Sequence, residues 1–129
     1  MRVLIAESST VVREKLVSIL GDLKGIEVVG QAQDASAARA LARQTRPDVT
    51  IMDSLDSSGD SIGLLQYLKA IRPDCKVIVL TNFVEPENRD MCYRNGADYF
   101  FDKSIEFEKA VAVIRGMQNQ NNGNHNYTH

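Results

Sequence analysis

The sequence predicts a doubly wound α/β domain: a five-stranded parallel sheet with helices on both faces. Three observations lead there. Short apolar runs and segments of helical periodicity alternate five times along the 129 residues. The run "KVIVLT" at 76–81 is apolar almost throughout, as a strand covered on both faces must be. Proline or a capping residue stands at most of the junctions, which marks where each element ends. Strand and helix in strict alternation imply right-handed βαβ crossovers and hence a parallel sheet.

The elements follow in order. "RVLIA" at 2–6 is the first strand, and Ser8, Ser9 or Thr10 caps the helix after it. In that helix Val12, Leu16, Ile19, Leu20 and Leu23 recur at helical spacing. "GIEVVGQA" at 25–32 is the second strand. Asp34 caps the Ala-rich helix "ASAARALARQT", which stops before Pro47 because proline disfavours helix in the residue preceding it. "DVTIMD" at 48–53 is the third strand. Asp60 caps the third helix, 61–71, which Pro73 ends. After the strand at 76–81, Pro86 opens a polar fourth helix, and Gly96 suits its C-terminal cap. "DYFFD" at 98–102 is the fifth strand, and Phe107, Val111, Ile114 and Met117 mark one face of the last helix.

Composition narrows the function. Hydrophobic residues make up 43% of the chain, enough for a core, and the net charge of -2 argues against a dedicated nucleic-acid or membrane-surface binder. No apolar run approaches the roughly 18 residues that span a bilayer, and the N-terminus lacks the pattern of a signal peptide. Cys75 and Cys92 match no metal spacing, so two free thiols in a reducing cytoplasm are expected. Residues 1–118 read as one domain. The Asn-rich stretch 119–129 reads as a disordered polar tail; its His125 and His129 are a weak metal signal, and its "NYT" sequon would not meet glycosylation machinery in a cytoplasm.

In an open parallel α/β sheet, ligands bind beyond the carboxyl ends of the strands. Four of those ends carry polar groups: Glu7-Ser8, Asp53, Thr81-Asn82 and Asp102-Lys103. Each alone is unremarkable, since a lone Asp is usually a cap and a lone Glu a solvated strand end. Together on one rim they suit phosphoryl transfer to a carboxylate. Asp53 is the candidate nucleophile. Mg2+ would neutralise the incoming charge, Lys103 would pair with a phosphate oxygen, and Thr81 would donate to another.

The stretches "RVLIAESSTVVREKL", "RPDVTIMD", "KVIVLTN" and "NGADYFFDKS" resemble the receiver domain of two-component response regulators over roughly residues 1–118. The resemblance implies the strand order 2-1-3-4-5. It implies that a sensor histidine kinase or phosphotransfer protein phosphorylates Asp53, with Lys103 and Thr81 assisting and Thr81 and Phe100 acting as the switch pair. It implies Mg2+ on Glu7, Asp53 and the Leu55 backbone carbonyl. It places a downstream protein partner on the face of the fourth helix, fifth strand and fifth helix, with Glu87, Arg89, Tyr93, Tyr99, Glu106 and Lys109, and it leaves a homodimer open. As an alternative for Phe100, an aromatic in "YFF" is simply core.

The chain departs from the family pattern in places. The family has two adjacent acids after the first strand, and here they are Glu7 and Ser8, so one ligand charge is missing and weaker Mg2+ binding is expected. The usual proline and glycine after the acceptor are Ser57 and Ser61, and Asp56 has no assigned role. Leu55 and Phe83, both bulky and apolar, would slow attack of water on the phosphoryl group. These departures leave a second reading, a degenerate receiver that acts as a phosphorylation-independent interaction module. An aspartyl phosphatase is disfavoured, because Leu55 stands where a second Asp would act. No DNA-binding domain is expected after the last helix, so output would run through protein contacts.

Overall fold

A computed structural model describes residues 1–53 and 60–127, with side-chain surroundings up to residue 120. The elements alternate as β1 (Arg2–Ala6), α1 (Thr10–Gly21), β2 (Glu27–Ala32), α2 (Ala35–Thr45), β3 (Val49–Met52), α3 (Asp60–Ile71), β4 (Lys76–Thr81), α4 (Pro86–Arg94), β5 (Tyr99–Asp102) and α5 (Phe107–Tyr127). The five strands form one parallel sheet in the order β2-β1-β3-β4-β5. The fold class and strand order are thus as expected.

Several boundaries shift for local reasons. β2 begins at Glu27 and not at residue 25, because Gly25 takes a positive φ of 82° in the preceding turn. β3 ends at Met52, one residue before Asp53, although the Asp53 amide still donates to Ala6 O at 2.9 Å. Asp60 is the first residue of α3 and not a cap ahead of it. Of the three capping candidates for α1, Ser9 accepts from the Val12 amide. The backbone of α5 stays helical to Tyr127, past residue 118, where apolar periodicity stops.

Side chains alternate across each strand, so the sheet has a core on either side. On one side Leu4, Ala6, Met52, Val77 and Val79 pack against Ala38 and Ala42 of α2, Leu64, Leu65 and Leu68 of α3, and Cys92 of α4. On the other side Val3, Ile5, Ile51, Ile78 and Leu80 pack against Leu16 and Leu20 of α1 and Ala110 and Ile114 of α5. Ile19, expected in the apolar stripe of α1, is only half-buried. Cys75 and Cys92 are free, and burial raises both thiols above their usual range, so neither is an activated nucleophile.

The α4–β5 junction fixes where β5 delivers its polar end. Gly96 has a φ of +111°, and a Cβ there would lie 3.0 Å from Lys69 Cγ. Lys69 cannot swing away freely, since its ammonium holds Cys75 O at 2.7 Å and Asp98 Oδ2 at 2.7 Å. We expect Gly96→Ala to destabilise the domain by about 1–2 kcal/mol, read as a lower midpoint at unchanged slope in urea unfolding.

Candidate functional site

Parallel strands that end together bring their terminal side chains to one rim. β1, β3 and β5 deliver Glu7, Asp53 and Lys103 there. The Lys103 ammonium bridges the two acids, 2.8 Å from Glu7 Oε1 and 3.1 Å from Asp53 Oδ2. All three are sheltered: Glu7 is 2% and Asp53 7% exposed, and the Lys103 side chain is 11% exposed. Backbone bonds set the register, with Lys103 N donating to Thr81 O at 2.8 Å and Asp53 N to Ala6 O at 2.9 Å. β4 places Thr81 on the same rim, fully buried, where its hydroxyl accepts from the Phe83 amide at 2.9 Å.

Two charged acids and one ammonium leave one net negative charge in a sheltered pocket. Burial pushes the Glu7 carboxyl above its usual range, and the nearby Asp53 charge adds to this. The Lys103 ammonium and the Ser9 amide, which donates to Glu7 Oε2 at 2.8 Å, oppose the rise without cancelling it. Hard carboxylate oxygens with residual negative charge suit a small divalent cation such as Mg2+, so Glu7 and Asp53 fit the ligand role expected of them. Among the described residues no cluster of three or more His, Cys, Asp or Glu side chains is grouped to hold a metal ion.

Sequence reasoning missed three features of this rim. Ser8 Oγ lies 3.2 Å from Asp53 Oδ2 and donates to it, so the residue that subtracts a ligand charge adds a hydrogen bond. The Ser9 amide secures the far oxygen of Glu7. Arg13 reaches back from α1 to hold Glu7 O at 2.8 Å. None of the three was visible in the sequence, because each depends on how the β1–α1 turn closes.

Other expected residues fall as follows. Phe100 is 4% exposed and packs in the α2–α4 core, with Tyr93 at a ring-centroid distance of 6.3 Å and the Arg89 guanidinium 5.3 Å from its centroid. Glu87, Arg89, Tyr93, Tyr99 and Lys109 are exposed on the α4–β5–α5 side and Glu106 is half-buried. Phe83 is 49% exposed. Leu55, Asp56, Ser57 and Gly59 lie outside the described residues, as does His129, and the side chain of His125 is likewise not described. No described helix is long and apolar enough to cross a membrane.

Comparison with known proteins agrees with this fold. The family model of the response regulator receiver domain matches residues 3–115. The chain is 33% identical over 117 residues to the oxygen regulatory protein NreC of Staphylococcus carnosus, covering 89% of this chain and 54% of that protein. It is 30% identical over 115 residues to the response regulator GacA of Pseudomonas aeruginosa, again covering 89% and 54%. The chain thus spans about half the length of the curated relatives it matches. Its fold superimposes with a TM-score of 0.75 on the isolated receiver domain of RcsB from Salmonella enterica serovar Typhimurium, 25% identical, solved in the presence of phosphomimetic BeF3-; the match covers 90% of this chain and 88% of that one. With its sheet order, its rim of Glu7, Asp53, Thr81 and Lys103, and a family match across nearly the whole chain, the protein belongs to the response regulator receiver domains, the phosphorylation-dependent signalling domains of two-component systems.

Proposed function

We propose that Asp53 is the phosphoacceptor of this receiver and that the domain signals through protein contacts once it is modified. One observation carries the assignment: a sheltered lysine bridges Asp53 to a second buried acid at the ends of β1, β3 and β5. That arrangement holds a carboxylate ready and keeps a fixed positive charge beside the position a phosphoryl group would take. Lys103 pairs with the transferred group. The Thr81 hydroxyl, which accepts from the Phe83 amide, stands on the same rim and would turn to a phosphoryl oxygen. The phosphomimetic complex of the RcsB receiver is a property of that relative, and it supports the same chemistry here.

Receiver domains bind Mg2+ at the phosphorylation site. In this chain Glu7 and Asp53 would hold it, with the Leu55 carbonyl outside the described residues, and Ser8 in place of an acid makes the binding weak. Mg2+ supplies charge neutralisation for the incoming phosphoryl group. The donor is a sensor histidine kinase or phosphotransfer protein in the cytoplasm. The added charge, roughly minus two at neutral pH, shifts Thr81 and with it the packing of Phe100 beneath Tyr93 and Arg89, which alters the α4–β5–α5 face for a downstream protein. The Glu7–Asp53–Lys103 bridge argues against the degenerate reading, since a decayed site has no reason to keep two buried acids around a lysine.

The assignment is tested by intact-protein mass after incubation with acetyl phosphate and Mg2+, with Asp53→Ala alongside. The expected result is a gain of one phosphoryl group that the variant lacks. Equal labelling of both chains would remove Asp53 from the role.

A further inference from the structure

Among the described residues, both side-chain contacts to the Asp53 carboxylate fall on one of its oxygens. Ser8 Oγ donates to Oδ2 at 3.2 Å, and Lys103 Nζ meets the same Oδ2 at 3.1 Å. The turn that presents Ser8 is fixed on either side. Before it, Glu7 O is held by Arg13 at 2.8 Å, and the Glu7 amide donates to Ala32 O at 2.9 Å. After it, Ser9 caps α1. Ser8 itself is exposed, so no packing demand explains its direction toward Asp53.

We infer that Ser8 is a positioning residue for phosphoryl acceptance: with Lys103 it holds Oδ2, leaves Oδ1 to attack, and so orients the carboxylate without a divalent cation. The inference rests on Asp53 being the acceptor. The two oxygens of a carboxylate are equivalent until neighbours distinguish them. An acid at position 8 would repel Asp53 and require a cation between the two, whereas a hydroxyl donates directly. The step itself balances simply. A lone pair of Oδ1 attacks phosphorus, the Oδ1–P bond forms, and the bond from phosphorus to the acetate oxygen of acetyl phosphate breaks. Acetate leaves with that electron pair, and no proton or redox equivalent is exchanged. Oδ2 becomes the carbonyl oxygen of the acyl phosphate and keeps the Ser8 hydroxyl as its donor, while the Lys103 ammonium turns to the transferred oxygens.

The test compares labelling rates by acetyl phosphate in excess EDTA and in saturating Mg2+ for the full chain, Ser8→Ala, Ser8→Thr and Asp53→Ala. The wild-type chain is expected to label measurably in EDTA. Losing one hydrogen bond to a charged group should lower the EDTA rate of Ser8→Ala about tenfold while its Mg2+-saturated rate changes less than about threefold. Ser8→Thr retains the hydroxyl and should recover the EDTA rate. A Ser8→Ala rate equal to wild type in EDTA overturns the inference, as does a wild type that labels only with Mg2+. An equal loss in both conditions also overturns it, since that marks a purely structural role. Labelling that persists in Asp53→Ala identifies failure of the acceptor assignment instead, and the inference falls with it.

Discussion

Lys103→Met is expected to destabilise the domain by about 3–5 kcal/mol at neutral pH and to take phosphoryl incorporation below detection. Methionine retains the apolar stem, so the loss isolates the ammonium. That ammonium lies 2.8 Å from Glu7 and 3.1 Å from Asp53 in a pocket where neither acid has ready access to water. Removing it leaves two buried carboxylates facing each other without a counter-charge. The pH dependence follows from Glu7. Burial already raises its carboxyl above the unfolded value of 4.5, and Lys103 is among the groups that hold the rise in check. A group whose folded pKa is raised contributes stability that is fully present below the unfolded pKa and lost as pH rises through the folded one. The variant lifts Glu7 further, so its deficit should be greatest at neutral pH and above and should shrink on acidification toward the unfolded value. Urea unfolding across a pH series, in EDTA, reads this directly. A deficit independent of pH would mean that lost packing, and not the stranded carboxylates, explains the effect. Labelling fails for a separate reason, because nothing else among the described residues places a cation beside Asp53 to meet the transferred oxygens.

Much of this was legible in the chain because strand ends are easy to locate. The unbroken apolar run 76–81 and the caps and prolines between elements set the alternation, and alternation sets the rim. That is why Glu7, Asp53 and Lys103, scattered over almost a hundred positions, could be grouped before any distance was known. Contacts that depend on side-chain direction were not legible. Ser8 reads as a subtraction from the metal site, and only the closure of the β1–α1 turn shows that its hydroxyl reaches Asp53. The Lys69–Asp98 pair, which ties α3 to the start of β5 across 29 residues, carries no sequence signal because both partners look like ordinary surface charges. The end of α5 was misplaced for a different reason. Apolar periodicity reports the packed face of a helix, and it stops at Met117, whereas the helical backbone runs on to Tyr127.

The charge that Ser8 omits sets the second large effect: Ser8→Asp is expected to tighten Mg2+ binding about tenfold to a hundredfold. With Glu7 and Asp53 against Lys103 the pocket carries one net negative charge, and an aspartate at position 8 makes it two. A unit charge about 4 Å from a divalent cation gains roughly 8 kcal/mol at an effective dielectric constant of 20. Most of that gain is offset. The new acid must be desolvated, it repels Asp53, and it competes for the Lys103 ammonium, so on the order of 1.4–2.7 kcal/mol remains as affinity. The same crowding makes the metal-free variant less stable than wild type, and Mg2+ should restore it by mass action. Calorimetric titration with Mg2+ and thermal unfolding in EDTA against Mg2+ measure the two consequences independently. Both are required if the pocket is a cation site weakened by one missing charge. An affinity unchanged by Ser8→Asp would mean that the added acid is captured by Lys103, and the site would then act as a lysine-compensated acceptor in which the divalent cation has only a minor part.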